Sequence, residues 1–450
     1  MSFFIVKDPI ISQGFGRRVA RGINNRLWVV YDDFRAGAYN IWASYSDNEG
    51  LTWTEEQVTL TVEGLNTRSH PEIAADSLGN VHIVYTTNRV LYRRRISTGW
   101  EVYEIVDTLN SSEPSIIIDS SNNIHISYTL GDTPNSTAIK YRQKSSAGVW
   151  QAEETVVTAD DQYNPTIAID FDNNIHIAWW GIGFGAYPTT GQILYRKRTA
   201  GVWGTQELIT DKSLDQNYPR IAVAPDGYVH VVWDGVGWGE NTIYRNIRYR
   251  KRDTAGWMEH KAITDVAYPQ RYPVIGCDSS SNLFVTWHGT GWGDYTGKDN
   301  IQMKKWMEGV WQTQEAITDR PYHQYYPSIL SLIPYDGYIV VHFVGNTADA
   351  NGEQSEIYLD TYVLAPVIIT DTVTGLTHRW GPGHYSLELT LGGLSTNWDL
   401  ISMSKEPLPA VPSEQLGWQG PFSEITEEGM RFYYILPDGT RFYSPAIPNK

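Results

Sequence analysis

Hydrophobic and polar residues alternate along most of the chain with a period of two, which is typical of half-buried β-strands. An apolar run at 167–169 and an alternating run at 175–179 flank the sequence DFDNN. Asp and Asn favour tight turns, so these runs predict a β-hairpin. A Tyr/Arg/Lys run at 194–198, a Gly-containing turn with Trp, and a run ending in Ile-Thr follow. The pattern therefore predicts a unit of four antiparallel strands.

This unit occurs seven times. Its copies contain the related segments 16–31, 69–85, 112–128, 163–179, 218–233, 272–287 and 326–343. The anchor prolines are Pro71, Pro114, Pro165, Pro219, Pro273 and Pro327, and Arg17 takes their place in the first copy. Successive anchors are 54, 43, 51, 54, 54 and 54 residues apart. Four short strands at this period indicate the blades of a β-propeller. The expected fold is all-β: a seven-bladed propeller of four-stranded antiparallel blades with a small β domain after it.

The two ends of the repeat predict how the ring closes. The seventh copy has only three strand-like runs, which end near residue 364. We therefore predict that residues 3–12 supply the outer strand of the last blade and remove its open edge. The predicted domains are a propeller over 1–364 and a β-rich attachment domain over 365–450, which contains a proline-rich stretch at 406–414.

Composition and charge exclude several functional classes. The net charge is −16, which opposes binding to nucleic acid. No apolar stretch is long enough to cross a membrane, and the first residues lack the pattern of a secretory signal peptide. The single cysteine, Cys277, cannot form an intramolecular disulfide, and no Cys/His cluster suggests zinc. We expect no metal and no cofactor.

One turn gives the chain a family resemblance. The sequence SDNEGLTW at 46–53 resembles the Asp-box of the sialidase-like (BNR-like) propellers, Ser-x-Asp-x-Gly-x-Thr-Trp, with Asn48 at the Asp position. In that superfamily the box is a turn that stabilises a blade and has no catalytic role. The resemblance implies the propeller fold and says little about activity. A sialidase-like site would draw on Arg17, Arg18 and the acidic residues near Asp33.

Several repeated features have structural interpretations. His82, His125, His176 and His230 share one strand position, but other copies place Trp28 or Phe284 there, so packing explains them better than metal binding. The basic third strands are matched by glutamates on the fourth strands, which predicts ion pairs at the blade perimeter rather than a polyanion track.

Loops on one face carry the candidate binding site. The loops after the second strands contain Gly-x-Gly-aromatic-Gly in three consecutive copies, and the loops between blades are rich in Gln and Tyr. Aromatic rings and amide or carboxylate groups of this kind suit a neutral sugar. The candidate ligand-binding residues are Trp180, Phe184, Asp234, Trp238, His288, Trp292, Tyr218, Tyr272, Tyr326, Gln216, Gln270 and Gln324. Equally, the glycines could serve tight turns while the aromatic rings cap the blade ends.

Two functional classes remain open at this point. The first is a non-enzymatic, lectin-like protein that binds a glycan or a cell-surface receptor and joins other subunits through 365–450. Without a signal peptide, such a protein is expected at a virion surface, for example in a phage tail fibre, or outside the cell; otherwise it is cytoplasmic. The second is a glycan-active enzyme, either a sialidase-like glycoside hydrolase or a polysaccharide lyase. Its candidate catalytic residues are Asp33, Asp234, Glu240, His288, Asp294, Tyr268 and Tyr322.

Overall fold

The computed structural model describes only part of the backbone. The described residues are 2–7, 17–23, 26–35, 38–47, 52–59, 69–108, 110–131, 137–158, 160–307, 309–330, 338–349, 352–363, 367–371, 377–380, 383–384, 398–403, 419–426, 429–435 and 441–443. Side chains are described within the parts of these ranges from 17 to 330, apart from 34–35. The predicted residues 8–12 of the closing strand and 48–51 of the Asp-box lie outside them.

The chain divides into two compact units. The larger unit contains Ser2–Tyr335 and Val340–Asp360, and the smaller contains Thr361–Lys450 with Met1 and Asp336–Ile339. The described residues are β-strands and loops, and no helix among them is long and apolar enough to span a membrane. The predicted all-β class is confirmed.

The described part of the larger unit forms seven antiparallel sheets, which we number blade 1 to blade 7. Blade 1 contains Val19–Arg21, Leu27–Arg35, Ala38–Ser46 and Thr54–Gln57. Blade 2 contains Glu72–Ala75, Val81–Thr86, Val90–Ile96, Gly99–Trp100 and Glu104–Ile105. Blade 3 contains Ser111–Ile118, Ile124–Leu130, Ala138–Lys144 and Glu154–Val157. Blade 4 contains Gln162–Ile169, Ile175–Gly181, Gln192–Thr199, Val202–Trp203 and Glu207–Leu208.

The remaining blades follow the same order. Blade 5 contains Gln216–Val223, Val229–Gly235, Asn246–Asp253, Gly256–Trp257 and Lys261–Ala262. Blade 6 contains Gln270–Cys277, Leu283–Gly289, Asn300–Met307, Val310–Trp311 and Glu315–Ala316. Blade 7 contains Gln324–Ile329, Tyr338–Asp349, Gly352–Val363 and Ser2–Lys7. In blades 2, 4, 5 and 6 the outer strand is split into two short pieces that both pair with the third strand.

The first strands of consecutive blades pack side by side, which is the arrangement of a β-propeller. Blade 1 meets blade 7 where the Arg18 backbone N–H donates to Ser328 Oγ at 3.0 Å. The N-terminal strand Ser2–Lys7 pairs antiparallel with Gly352–Val363, with Phe3 opposite Leu359. The last sheet thus takes its fourth strand from the start of the chain.

The hydrophobic core lies between adjacent blades. Ile139 and Tyr141 of blade 3 pack with Ile177 and Trp179 of blade 4, and similar clusters occur at the neighbouring interfaces. Trp179 and its counterparts Trp233 and Trp287 are fully buried. The inward positions of the alternating strands therefore fill the space between sheets rather than one central core.

The smaller unit contains two three-stranded sheets and one short strand. One sheet has the order Thr377–Trp380, Val367–Asp371, Trp398–Met403, and the other the order Gln419–Thr426, Gly429–Ile435, Arg441–Tyr443. The short strand is Gly383–His384. A binding role for 365–450 remains a prediction.

Candidate functional site

The first strands of the seven blades enclose an axial channel. A cavity of about 40 Å³ in this channel is lined by isoleucine and valine side chains and by the polar residues Arg17, Glu72, Ser115, Thr166, Arg220 and Ser328. A water molecule needs roughly 10–15 Å³ when volume is measured in this way. The cavity therefore has room for a few water molecules but not for a sugar, so a larger ligand can reach only the mouth of the channel.

Charged groups line the channel. Glu72 is almost fully buried and accepts hydrogen bonds from Ser115 Oγ at 2.9 Å and from the Ile116 N–H at 3.1 Å. Burial lowers the pKa of the Arg17 and Arg220 guanidinium groups, and the Glu72 carboxylate opposes this effect on both. Arg18 is also buried and lies 3.6 Å from Asp32. Groups that differ from blade to blade therefore surround the axis.

A backbone irregularity recurs where the channel opens. Five first strands have a β-bulge, and six residues that directly precede an anchor proline have a positive φ, between 40° and 53°. These residues are His70, Glu113, Asn164, Tyr218, Tyr272 and Tyr326. Such a φ is unusual for a residue with a side chain, and bulges re-aim side chains. The same distortion thus recurs with a histidine, a glutamate and an asparagine in blades 2 to 4 and with tyrosines in blades 5 to 7.

On blades 5 to 7 the residue before the proline is a tyrosine, and the three tyrosine rings lie near His288 and Arg271 of blade 6. We call these five residues the mouth cluster: Tyr218, Tyr272, Tyr326, His288 and Arg271. The ring centres of Tyr218 and Tyr272 are 4.6 Å apart, and those of Tyr272 and Tyr326 are 5.4 Å apart. His288 lies 5.2 Å from Tyr272 and 5.4 Å from Tyr326. Arg271 is opposite His288 in the sheet, is exposed, and has no ion-pair partner among the described residues.

The protonation states of the mouth cluster follow from burial. Burial, with help from Arg271 and His323, lowers the pKa of His288 to about 3, so its ring is neutral. Its Nδ1 accepts a hydrogen bond from the Tyr326 N–H at 3.2 Å, which leaves the ring proton on Nε2. Burial raises the pKa of Tyr326 to about 12 and that of Tyr272 further. The cluster therefore offers neutral hydrogen-bond donors beside one exposed cation.

Asp234 lies behind this cluster and supports it. Its side chain is fully buried, and it accepts hydrogen bonds from Arg245 Nη1 at 2.5 Å and from the Tyr272 N–H at 3.0 Å. Burial raises the pKa of Asp234, and the Arg245 guanidinium opposes that rise. Asp234 thus holds the backbone of Tyr272 in place rather than presenting a carboxylate to solvent.

The predicted loop aromatics are partly buried and engaged. Trp238 Nε1 donates to Gln216 Oε1 at 2.7 Å, and the Trp238 ring packs against His260, with 3.9 Å between centres, and against Lys212. Trp292 Nε1 lies 3.4 Å from Gln270 Oε1. Phe184 packs against the core cluster between blades 3 and 4. Of the two interpretations of these loops, this geometry favours the capping of blade ends.

The other predicted site residues fall into three groups. Gln216, Gln270 and Gln324 are fully buried, and the first two accept hydrogen bonds from the core residues Trp233 and Trp287. Glu240 and Asp294 are exposed, and their backbone N–H groups donate to Asp265 and Asp319 at 2.9 Å.

The third group lies elsewhere. Asp33 is buried in blade 1, opposite Asn40. Trp180 donates from Nε1 to Asn164 and stacks on Tyr163 in blade 4. Tyr268 is exposed, and Tyr322 is partly buried.

The sequence interpretation did not single out Arg245 and Arg271. A signal for Arg271 exists: the residue two positions before the anchor proline is Ser69, Ser112, Tyr163, Asn217, Arg271 or Tyr325. It varies strongly within an otherwise regular repeat. Among the described residues, no group of three His, Cys, Asp or Glu side chains is placed to hold a metal ion.

Comparison with known proteins gives structural matches only. No family model and no curated protein matches the chain. An ulvan lyase of polysaccharide lyase family PL25, solved bound to -[GlcA(1-4)Rha3S]-, is similar with a TM-score of 0.57 at 10% identity, over 81% of this chain and 96% of that one. The polysaccharide lyase Uly1 is similar with a TM-score of 0.53 at 9% identity, over 79% and 92%. At this identity the matches show a shared propeller fold.

Proposed function

We propose that the mouth cluster binds an acidic glycan and cleaves it by β-elimination, as a polysaccharide lyase does. The observation that supports this most is the convergence of three tyrosines, a neutral histidine and an exposed arginine on blades 5 to 7. The equivalent positions of blades 2 to 4 hold His70, Glu113 and Asn164 before the proline. The three tyrosines are repeat equivalents, but their rings meet at one place beside His288. A single convergent site suits an enzyme, whereas a multivalent lectin has a separate site on each blade.

The charge of the cluster favours an acidic sugar. Arg271 is an exposed cation on a chain with a net charge of −16, and an arginine can bind a carboxylate or sulfate through two parallel hydrogen bonds. His288 Nε2–H and the tyrosine hydroxyls can add neutral donors. The similar ulvan lyase was solved with a glycan that contains glucuronic acid and a sulfated rhamnose.

Elimination at a uronic acid needs groups of these kinds. A cation beside the carboxylate makes the adjacent C–H bond more acidic, a base removes that proton, and an acid protonates the departing glycosidic oxygen. Arg271 is the candidate for the first role. Tyr218 is the candidate base: burial raises its pKa overall, while a hydrogen bond from Tyr272 and the charge of Arg245 oppose that rise. The neutral hydroxyl of Tyr326 can act as the acid.

Recognition without cleavage is the second candidate, and one observation favours it. The pKa values of His288, Tyr272 and Tyr326 all lie far from neutrality, whereas general acids and bases work best near the operating pH. In this case the protein would bind an acidic glycan or receptor without cleaving it. Residues 365–450 would attach the protein to a larger assembly, such as a phage tail.

One experiment separates these candidates. Wild-type protein is incubated with ulvan, alginate, polygalacturonate and hyaluronan, and with neutral mannan as the control. Retention is measured by affinity electrophoresis, and cleavage by the ultraviolet absorbance of the unsaturated product. We expect retention and cleavage of at least one acidic polysaccharide and neither for mannan. Retention without new absorbance would support recognition alone.

A matched pair of variants locates the site. Arg271→Gln should weaken retention about 10- to 100-fold, since hydrogen bonds to charged groups contribute roughly 1.5–3 kcal/mol. Lys261→Gln removes an exposed cation from the outer strand of blade 5 and should leave retention unchanged. Equal binding by Arg271→Gln and wild type would contradict the proposed site.

A further inference from the structure

Tyr268 stands apart from the mouth cluster on the same segment of chain. The segment 268–272 runs beside 288–291: Gln270 is paired with Gly289, Arg271 with His288, and the Thr290 N–H donates to the Pro269 carbonyl at 3.3 Å. Tyr272 and Arg271 belong to the mouth cluster at one end of this ribbon. Four residues of extended chain span at most roughly 13–14 Å, so Tyr268 can lie about that far outward.

The Tyr268 ring rests on Gly291. A Cβ added to Gly291 would lie 2.6 Å from Tyr268 Cγ, and Gly291 has a φ of +90°. The Gly291 N–H donates to the Thr296 carbonyl at 2.8 Å, and Gln270 Nε2 donates to the Thr290 carbonyl at 2.9 Å, which fixes the loop beneath the ring. Tyr268 is nonetheless 48% exposed. The Gly291 backbone thus backs one part of the ring, and about half of the residue stays exposed.

The preceding blade provides the natural comparison. Leu214 occupies the position 54 residues before Tyr268, is 45% exposed, and packs against Gly237, where an added Cβ would lie 3.2 Å from Leu214 Cδ1. An aliphatic side chain is therefore sufficient to cover this glycine. Covering the loop does not explain why blade 6 carries an aromatic ring there.

We propose that Tyr268 is an outer stacking platform for the glycan, which lies along the ribbon from the mouth cluster across blade 6. This inference rests on the proposed function of the mouth cluster. The solvent-exposed part of the Tyr268 ring packs against the C–H face of a sugar ring several positions from the one held by Arg271. The substrate is accordingly a polymer or long oligosaccharide, and Tyr268 contributes to binding rather than to proton transfer.

The test measures the dissociation constants of short and long oligosaccharide fragments, prepared from whichever of ulvan, alginate, polygalacturonate or hyaluronan the wild-type protein retains most strongly. Tyr268→Phe keeps the ring and should bind long fragments as the wild type does. Tyr268→Leu reproduces the arrangement of the preceding blade, so it should fold, but it should bind long fragments about 5- to 10-fold more weakly. Because short fragments do not reach the platform, the ratio of their Kd to that of long fragments should fall by the same factor.

The outcomes distinguish the two proposals. Leu214→Ala is the matched control and should bind fragments of both lengths as the wild type does. Wild-type affinity of Tyr268→Leu for long fragments, or equal losses for both lengths, would overturn the platform while the function of the mouth cluster stands. Failure of the wild-type protein to retain any of the four polysaccharides would overturn both proposals.

Discussion

At the scale of single residues, the repeated histidines form buried hydrogen-bonded groups. His82, His125 and His176 each bind a tyrosine hydroxyl through Nδ1, at 2.7 Å, and a turn aspartate through Nε2, at 3.1–3.2 Å. Burial raises the pKa of Asp76 and Asp119, but hydrogen bonds from the histidine and a turn asparagine outweigh it and lower the pKa to about 2. Each group joins the turn of a blade to its third strand, which is a structural role.

Blade 5 has an incomplete version of this group. His230 Nδ1 lies 2.8 Å from the Tyr249 hydroxyl, but Ala224 replaces the aspartate, and the buried His230 Nε2 has no hydrogen-bond partner among the described residues. Burial lowers the pKa of His230 to about 3. In blade 6 the same two positions hold Phe284 and Met303.

We therefore predict that the double variant His230→Phe/Tyr249→Met, the natural pair of blade 6, folds with stability near that of the wild type at neutral pH. Replacing both partners of a buried hydrogen bond with apolar groups is close to neutral. In the wild type the unfolded chain binds a proton below about pH 6.5 while folded His230 does not, so stability falls from there towards pH 3. At about pH 4 the free energy of unfolding of the variant should exceed that of the wild type by roughly 3 kcal/mol, which urea unfolding measures.

The control for this prediction is His176→Phe/Tyr195→Met in blade 4. There Asp170 would lose its hydrogen bond from His176, so the variant should be less stable than the wild type at neutral pH. If the two double variants lost the same stability, the missing aspartate of blade 5 would not explain the difference between the groups.

At the scale of elements, ion pairs join consecutive blades. Basic residues on the third strand of one blade bind glutamates on the outer strand of the blade before it: Arg95 with Glu56, Lys144 with Glu104, Arg198 with Glu154 and Arg252 with Glu207. The predicted perimeter pairs within blades also occur, as in Arg94 with Glu101 and Lys305 with Glu315. The basic third strands therefore hold sheets together.

Glu154 also accepts a hydrogen bond from Trp203 Nε1 at 2.8 Å, as Glu56 does from Trp100 and Glu104 does from Trp150. Glu154→Ala should lower the free energy of unfolding by about 1–2 kcal/mol, a value reduced from that of a buried pair because both side chains are partly exposed. Urea unfolding measures it, and the loss should shrink at high salt. Glu259→Ala, an exposed residue on blade 5, should change stability by less than about 0.5 kcal/mol. Equal losses would argue against the inter-blade role.

At the scale of the whole molecule, the sheet formed by both ends of the larger unit matters most. Ser2–Lys7 is the outer strand of blade 7, and its partner Gly352–Val363 lies some 350 residues later in the chain. Without it, Gly352–Val363 would present unpaired N–H and C=O groups, which favour association with other chains. Closure of this kind ties the first residues of the chain to the last blade of the larger unit.

Deletion of residues 1–7 should therefore lower Tm and promote self-association, which calorimetry and size-exclusion chromatography would detect. A synthetic peptide of the same residues, added in excess, should raise Tm in proportion to its binding, and a scrambled peptide should not. An unchanged Tm after deletion would show that the strand contributes little to closure.

The residues near the axis show how far the sequence could predict the site. Tyr218, Tyr272, Tyr326 and His288 were singled out from their loops, and the structure brings them together with Arg271. Trp238 and Gln216 were singled out by the same 54-residue repeat, yet the Trp238 side chain donates a hydrogen bond to Gln216 within blade 5. A 54-residue repeat shows that residues are equivalent, but equivalence does not reveal whether a side chain faces solvent or its own blade.

The sequence by itself determined the blades, because strand alternation, turn residues and anchor prolines act over short distances within each repeat. Only the tertiary structure decided which residues form a site. The mouth cluster draws one residue each from blades 5 and 7 and three from blade 6, and it depends on the bulge before each proline and on the packing of first strands around the axis. Contacts between residues that are distant in sequence depend on how the sheets pack, and no local pattern encodes that geometry.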